Sequence, residues 1–172
     1  LLISDEYRRL NAQLHERGDY GVSGHKWAAL ADELARRVNA KTVLDYGCGK
    51  GTLGAALRQQ EPLPYAILEY DPAVAGKDEK PLRADIVVCG DVLEHVEPEC
   101  LFDVLDDIRN IARAAVLLVV ATRPAAKVLA DGRNAHLIVE PASWWLPKIM
   151  DRWRVVQFSD RGGEFLCIGQ PI

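Results

Sequence analysis

The stretch "VLDYGCGKGTLG", residues 43–54, decides how this sequence is read. An apolar, β-branched run enters an acid, Asp45, and three glycines follow at alternate positions, Gly47, Gly49 and Gly51. Glycine tolerates positive φ and carries no Cβ, so a strand can turn sharply there and a ligand can approach the backbone. The helix that follows offers unpaired N–H groups at its first turn. The spacing is G-x-G-x-G, not the G-x-G-x-x-G of dinucleotide folds. The Lys and Thr of "GCGKGT" stand in the wrong register for a phosphate loop. An acid this close would also repel a phosphate.

The chain has 172 residues, 49% hydrophobic and 27% charged, which suits one globular domain over 1–172. Residues 1–40 read as its N-terminal helical extension. The net charge of −4 gives no bulk attraction to nucleic acid or to an anionic membrane. No apolar run is long enough for a transmembrane helix, and "LLISDEYRRL" lacks the features of a secretory signal. The four cysteines, Cys48, Cys89, Cys100 and Cys167, form no C-x-x-C pair, so no zinc site is expected. Cys89 and Cys167 lie in apolar runs and read as core. The expectation is a reduced, cytoplasmic protein.

Outward from the glycines, helical and extended segments alternate. Residues 4–17 read as a weakly amphipathic helix with Ser4 as cap. Ser23 can cap a second helix with Trp27, Leu30, Leu34 and Val38 on one face. Strands are expected over 41–46, 64–71, 84–90 and 114–122, and helices over 50–60, 98–113 and 141–153, the last re-angled near Pro147. The near-continuous apolar content of "ADIVVCG" fits a central parallel strand covered on both faces. Two closing strands flank a glycine turn as a β-hairpin. The pattern predicts an α/β three-layer sandwich with a mostly parallel twisted sheet.

"VLDYGCGKG" resembles the cofactor signature of class I S-adenosylmethionine-dependent methyltransferases, with the likeness strongest over residues 41–122. The resemblance implies S-adenosyl-L-methionine as cofactor, lying across the C-terminal ends of the strands. It implies that the loop of Gly47, Cys48, Gly49 and Gly51 borders the methionine part, with Asp45 near the cofactor amino group. Asp71, at the end of the second strand, matches the acid that accepts the ribose hydroxyls. Glu69, two residues earlier on the same strand face, competes for that role. Asp91 follows the "ADIVVCG" strand and can reach the cofactor or the acceptor. Only 13 residues separate Asp71 from Asp85. That is too few for the family's third strand, its helix and a loop, so these are expected to be missing or vestigial. The second strand then becomes a sheet edge, covered by the N-terminal helices or by another copy of the chain.

Methyl transfer from a sulfonium needs an aligned nucleophile and, for oxygen or amine, a base. Of the four histidines, His15 and His25 lie in the N-terminal part. His95 and His136 follow strand ends and are the better candidates. A helix starting near Asp91 would put Glu94 and His95 on one face as a polar corner. Arg123, Arg133 and Asn134 can bind an anionic or hydroxyl-rich acceptor, and Trp144 or Trp145 can stack, with one of the two in the core.

The expected function is methylation of an O or N atom of a small-molecule or sugar-containing acceptor, with no metal assigned. "DVLEHV" with the later histidine and Trp-Trp is similar to methyltransferases of glycan and secondary-metabolite pathways. The set Asp91, Glu94, His95 and His136 also resembles the metal-binding set of small-RNA 3′-end ribose methyltransferases, which would make an RNA 2′-hydroxyl the acceptor. A third alternative is a non-catalytic cofactor-binding domain.

Overall fold

The computed structural model describes residues 1–60 and 62–172. Its elements in chain order are α1 (Asp5–His15), α2 (Ala28–Arg37), β1 (Thr42–Tyr46), α3 (Thr52–Arg58), β2 (Ala66–Tyr70) and β3 (Ala84–Gly90). They are followed by α4 (Leu101–Ile111), β4 (Ala112–Ala121), α5 (Ala142–Met150), β5 (Trp153–Asp160) and β6 (Glu164–Pro171). Six strands form one sheet in the order β2-β1-β3-β4-β6-β5. The first four are mutually parallel, and β6 runs antiparallel to both neighbours.

The three layers follow from the period-two alternation of the central strands. On β4, Val116, Leu118 and Val120 pack with α4 and α5, while Ala115, Leu117 and Val119 pack with α2 and α3. Both sets are apolar because both faces are covered. Leu101, Val104, Leu105 and Ile108 of α4 supply one layer, and Ala31, Leu34, Leu53 and Leu57 the other. All four cysteines are buried and free.

Among the described residues, no helix or strand lies between Tyr70 and Ala84, so the family's third strand is missing and β2 is a sheet edge. The N-terminal helices do not cover that edge. Tyr7 and Leu14 of α1 bury instead against Leu129 and Ala135, and α2 packs on the sheet face. The edge is bordered by Gly76, Lys77 and Leu82 of the segment that replaces the strand.

Local differences from the sequence reading have physical causes. Ser4 caps α1, accepting from Tyr7 N at 3.1 Å. Ser23 makes no side-chain cap, and a 3-10 turn over Gly24–Trp27 precedes α2. No α-helix starts at Asp91; a short 3-10 turn over Leu93–His95 stands there. Helix α5 continues through Pro147, anchored by the fully buried Trp145. No helix of the described residues is long and apolar enough to cross a membrane.

Candidate active site

The loop after β1 is stitched to the end of β2. Gly47 N and Cys48 N both donate to Tyr70 O, at 2.7 and 3.0 Å. Gly49 N donates to Asp71 Oδ2 at 2.9 Å, and Ala73 N to Asp71 Oδ1 at 2.9 Å. Two positions here require glycine. Gly47 has φ +77°, and a Cβ would lie 2.4 Å from Val92 Cγ2; Gly49 has φ +49°, and a Cβ would lie 2.8 Å from Gly21 Cα.

A cavity of about 450 Å³ opens at the C-terminal ends of β1 and β3. This is where open α/β sheets bind ligands. Asp45, Gly47, Cys48, Asp71, Asp91, His95 and His136 all line the cavity. Gly49 lies behind that lining against Gly21. Gly51 turns toward Lys77 and Glu69, so its role in this structure is to start α3. Glu69 stands off the cavity, paired with Lys77 at 2.9 Å and Arg58 at 3.6 Å. Of the two competing acids, Asp71 is the one in the cavity wall.

Asp45 is buried, and its Oδ2 has no hydrogen-bond partner. Burial, reinforced by Glu69, pushes its carboxyl up to about 7 against the pull of Lys77. Asp91 holds a left-handed backbone with φ +57°, and its Oδ2 is also buried without a partner. Burial raises its pKa too. A non-glycine residue in that conformation costs about 1 kcal/mol, the kind of strain that clusters at ligand sites.

The two histidines are oriented alike. His95 Nδ1 donates to Ala135 O at 2.8 Å, and His136 Nδ1 donates to Arg123 O at 2.6 Å. Because a carbonyl can only accept, both rings carry a proton on Nδ1, and in the neutral imidazole Nε2 is the remaining acceptor. The rings meet edge to face, with centroids 4.7 Å apart. Burial, then the neighbouring His136, holds His95 down at about 3. Glu94 lies fully buried behind them. Its Oε1 accepts from Ala121 N at 3.0 Å, and Oε2 has no partner. Burial, and secondarily Asp91, pushes its carboxyl up to about 8. One ligand atom each from Glu94, His95 and His136 fall within 4.8 Å of one another; Asp91 stands outside that group.

Of the residues expected to contact an acceptor, Arg123 lines the cavity and donates to Gly163 O at 2.8 Å. Arg133 is paired with Asp131 at 2.7 Å. Asn134 staples the 122–140 loop, accepting from Ala125 N and His136 N and donating to Ala125 O. Trp145 is core, and Trp144 lies under Lys148 Nζ at 3.5 Å from its ring centroid.

Sequence reasoning missed the N-terminal wall. Tyr7, Asn11 and His15 of α1 line the cavity together with Tyr20 and Gly21. Tyr7 OH donates to His95 O at 2.5 Å, and Tyr20 OH donates to Asn11 Oδ1 at 3.1 Å. The signal was available as a stripe at four-residue spacing on one helix face.

A family model described as "Methyltransferase domain" matches residues 15–161. The fold is similar to that of an O-methyltransferase family protein from Burkholderia thailandensis, at 16% identity and TM-score 0.62. That comparison covers 97% of this chain, and this chain spans 59% of the other. It is also similar to 1,6-didemethyltoxoflavin-N1-methyltransferase of the same organism, crystallised with 1,6-didemethyltoxoflavin and S-adenosylhomocysteine. The identity there is 13%, the TM-score 0.69, and the coverage 99% and 91%. A third similar structure is the N-terminal domain of EvdMO1, in the presence of S-adenosylhomocysteine and D-fucose (16% identity, TM-score 0.58, coverage 99% and 98%). No curated protein matches significantly. The chain belongs to the methyltransferase-domain family. It is a class I domain, and the cofactor of that class is S-adenosylmethionine.

Proposed function

We propose that this chain transfers the methyl group of S-adenosylmethionine to an oxygen or nitrogen of a small-molecule or sugar-containing acceptor. The observation that carries this reading is one cavity lined both by the acid–glycine residues and by two histidines. The acid–glycine residues suit the cofactor, with Asp45 toward the ammonium, Asp71 toward the ribose and Gly47 and Cys48 beneath the methionine part. His95 and His136, in the same lining, offer Nε2 acceptors to a nucleophile. A base held near 3 is too weak to take a proton efficiently at neutral pH, so His95 orients the acceptor and His136 removes the proton. The molecules crystallised with the similar structures, 1,6-didemethyltoxoflavin and D-fucose, support a small-molecule acceptor.

One specific observation favours a second reading. Both histidines are fixed by second hydrogen bonds in the tautomer a metal ligand needs, and Glu94 Oε2 is a buried orphan beside them. These three residues fit a divalent ion. Bound there, it would acidify an acceptor hydroxyl, as for the vicinal hydroxyls of an RNA 3′ end.

Radiolabelled methyl transfer from S-adenosylmethionine, assayed over catechols, sugars, amines and short RNAs, tests both. Transfer to a small molecule that persists in chelator is the expected result. Loss in EDTA, restored by Mg²⁺ or Mn²⁺, would establish the second reading. Cofactor binding without transfer to any acceptor would leave a non-catalytic domain.

The Asp45 assignment predicts a proton signature. The carboxyl titrates near 7 when unliganded, and a bound ammonium favours its ionised form. Cofactor binding near pH 6 should therefore release a proton, and affinity should rise about tenfold between pH 5.5 and 7.5. Because the folded pKa lies above the unfolded value, the unliganded protein loses Asp45's contribution to stability as pH rises through about 7. Calorimetry with S-adenosylhomocysteine in buffers of different ionisation enthalpy measures the proton count. Asp45→Asn should flatten both profiles.

A further inference from the structure

We propose that His15 is a cofactor-binding residue, acting with Asp71 as a two-sided clamp on one ribose hydroxyl. The inference rests on the reading that Asp71 borders the ribose.

His15 ends α1, and its ring reaches the cavity wall beside the glycine loop. It is held on two sides. Tyr20 packs edge-on with centroids 4.8 Å apart, and a Cβ on Gly21 would lie 2.7 Å from His15 Cε1. Nε2 stands 3.8 Å from Asp71 Oδ2, too long for a hydrogen bond, and Nδ1 is buried with no partner. A polar ring fixed this firmly but bonded to nothing is an exception to the satisfaction of buried polar groups.

The separation suits a shared hydroxyl. An oxygen about 2.8 Å from both atoms closes a triangle on the 3.8 Å base. Asp71 Oδ2 already accepts from Gly49 N, which leaves it one further lone pair for the hydroxyl proton. Burial lowers the His15 pKa, so the ring is neutral and carries one N–H. With that proton on Nε2, His15 donates to the hydroxyl oxygen while Asp71 accepts its hydrogen. Nδ1 stays buried against Gly21, so the hydroxyl meets the ring through Nε2 alone. A hydroxyl-bearing sugar thus gives Nε2 its partner, and a sugar lacking that hydroxyl does not.

Calorimetric titration with S-adenosylhomocysteine and its 2′-deoxy and 3′-deoxy analogues tests the clamp. The wild-type chain should bind both deoxy analogues more weakly than the parent, and the one lacking the clamped hydroxyl about 100-fold more weakly. His15→Ala should weaken the parent about tenfold yet scarcely change that analogue. His15→Gln, which keeps a donor and an acceptor, should restore part of the loss. Thermal melting of both variants verifies the fold. Unchanged parent binding by His15→Ala would overturn the clamp alone. So would an equal loss for all three ligands, which would mark a packing role. If the wild-type chain bound no S-adenosylhomocysteine, the clamp would fall together with the functional reading.

Discussion

Asp71→Ala is expected to weaken S-adenosylhomocysteine binding about 100-fold while leaving the domain folded. Asp71 does two things at once. Its oxygens accept from Gly49 N and Ala73 N, which fixes the loop after β1 against the loop after β2. The same carboxylate lines the cavity with lone pairs to spare. Hydrogen bonds to a charged group contribute about 1.5–3 kcal/mol each, so two ribose hydroxyls on one carboxylate carry the 100-fold by themselves. Freeing the two backbone N–H groups costs further stability: Ala73 lines the cavity and its N–H can turn to water, whereas Gly49 is buried behind the wall and its N–H loses its partner. Melting should remain a single cooperative transition.

Asp71→Asn is a sharper probe than alanine. The amide keeps one acceptor but turns its NH₂ toward Gly49 N or Ala73 N, a donor facing a donor. It should lose nearly as much affinity as alanine. Glu69→Ala is the control. Glu69 is tied to Lys77 and Arg58 off the cavity, so its removal should change affinity less than about threefold, as expected for a partly exposed ion network that does not face the ligand. A larger loss from Glu69→Ala than from Asp71→Ala would transfer the ribose role to Glu69.

The sheet was legible because its strands obey simple rules. A segment buried on both faces reads as a near-continuous apolar run, and "ADIVVCG" is β3, while "AAVLLVVAT" ends one residue beyond β4, which starts at Ala112. The 13-residue gap after Asp71 announced the missing strand because chain length is a hard limit. The cavity's N-terminal wall was not legible in the same way. Residues 4–17 read only as a weakly amphipathic helix, and a polar stripe facing a cavity looks like one facing solvent unless the residues it meets are known. The orientation of His95 and His136 was beyond reach for another reason. It is set by the carbonyls of Ala135 and Arg123, brought in from the 122–140 loop by Asn134. No local spacing encodes those contacts. The expected helix at Asp91 gave the right neighbours for the wrong geometry. In the 3-10 turn, His95 lines the cavity while Glu94 is buried behind it.

That separation allows one pair of variants to divide the chemistry. His136→Ala should lower kcat about 10³-fold with S-adenosylhomocysteine affinity unchanged within about twofold, since a positioned base contributes about 10²–10⁴ in rate. Removing the ring frees Arg123 O, which is exposed and can turn to water, so its loss leaves no buried group stranded. Glu94→Gln separates the two ways in which the histidine could act. With its carboxyl pushed up to about 8 by burial, Glu94 carries a proton at neutral pH in the absence of a cation. Glutamine has nearly the same shape and keeps an acceptor for Ala121 N, so a base mechanism through His136 should retain activity within about threefold. A divalent ion held by Glu94, His95 and His136 needs the carboxylate itself. Glu94→Gln would then fall as far as His136→Ala, and excess metal would recover part of the loss. We expect the first pattern, with activity independent of chelator. The base reading fails if Glu94→Gln and His136→Ala prove equally inactive.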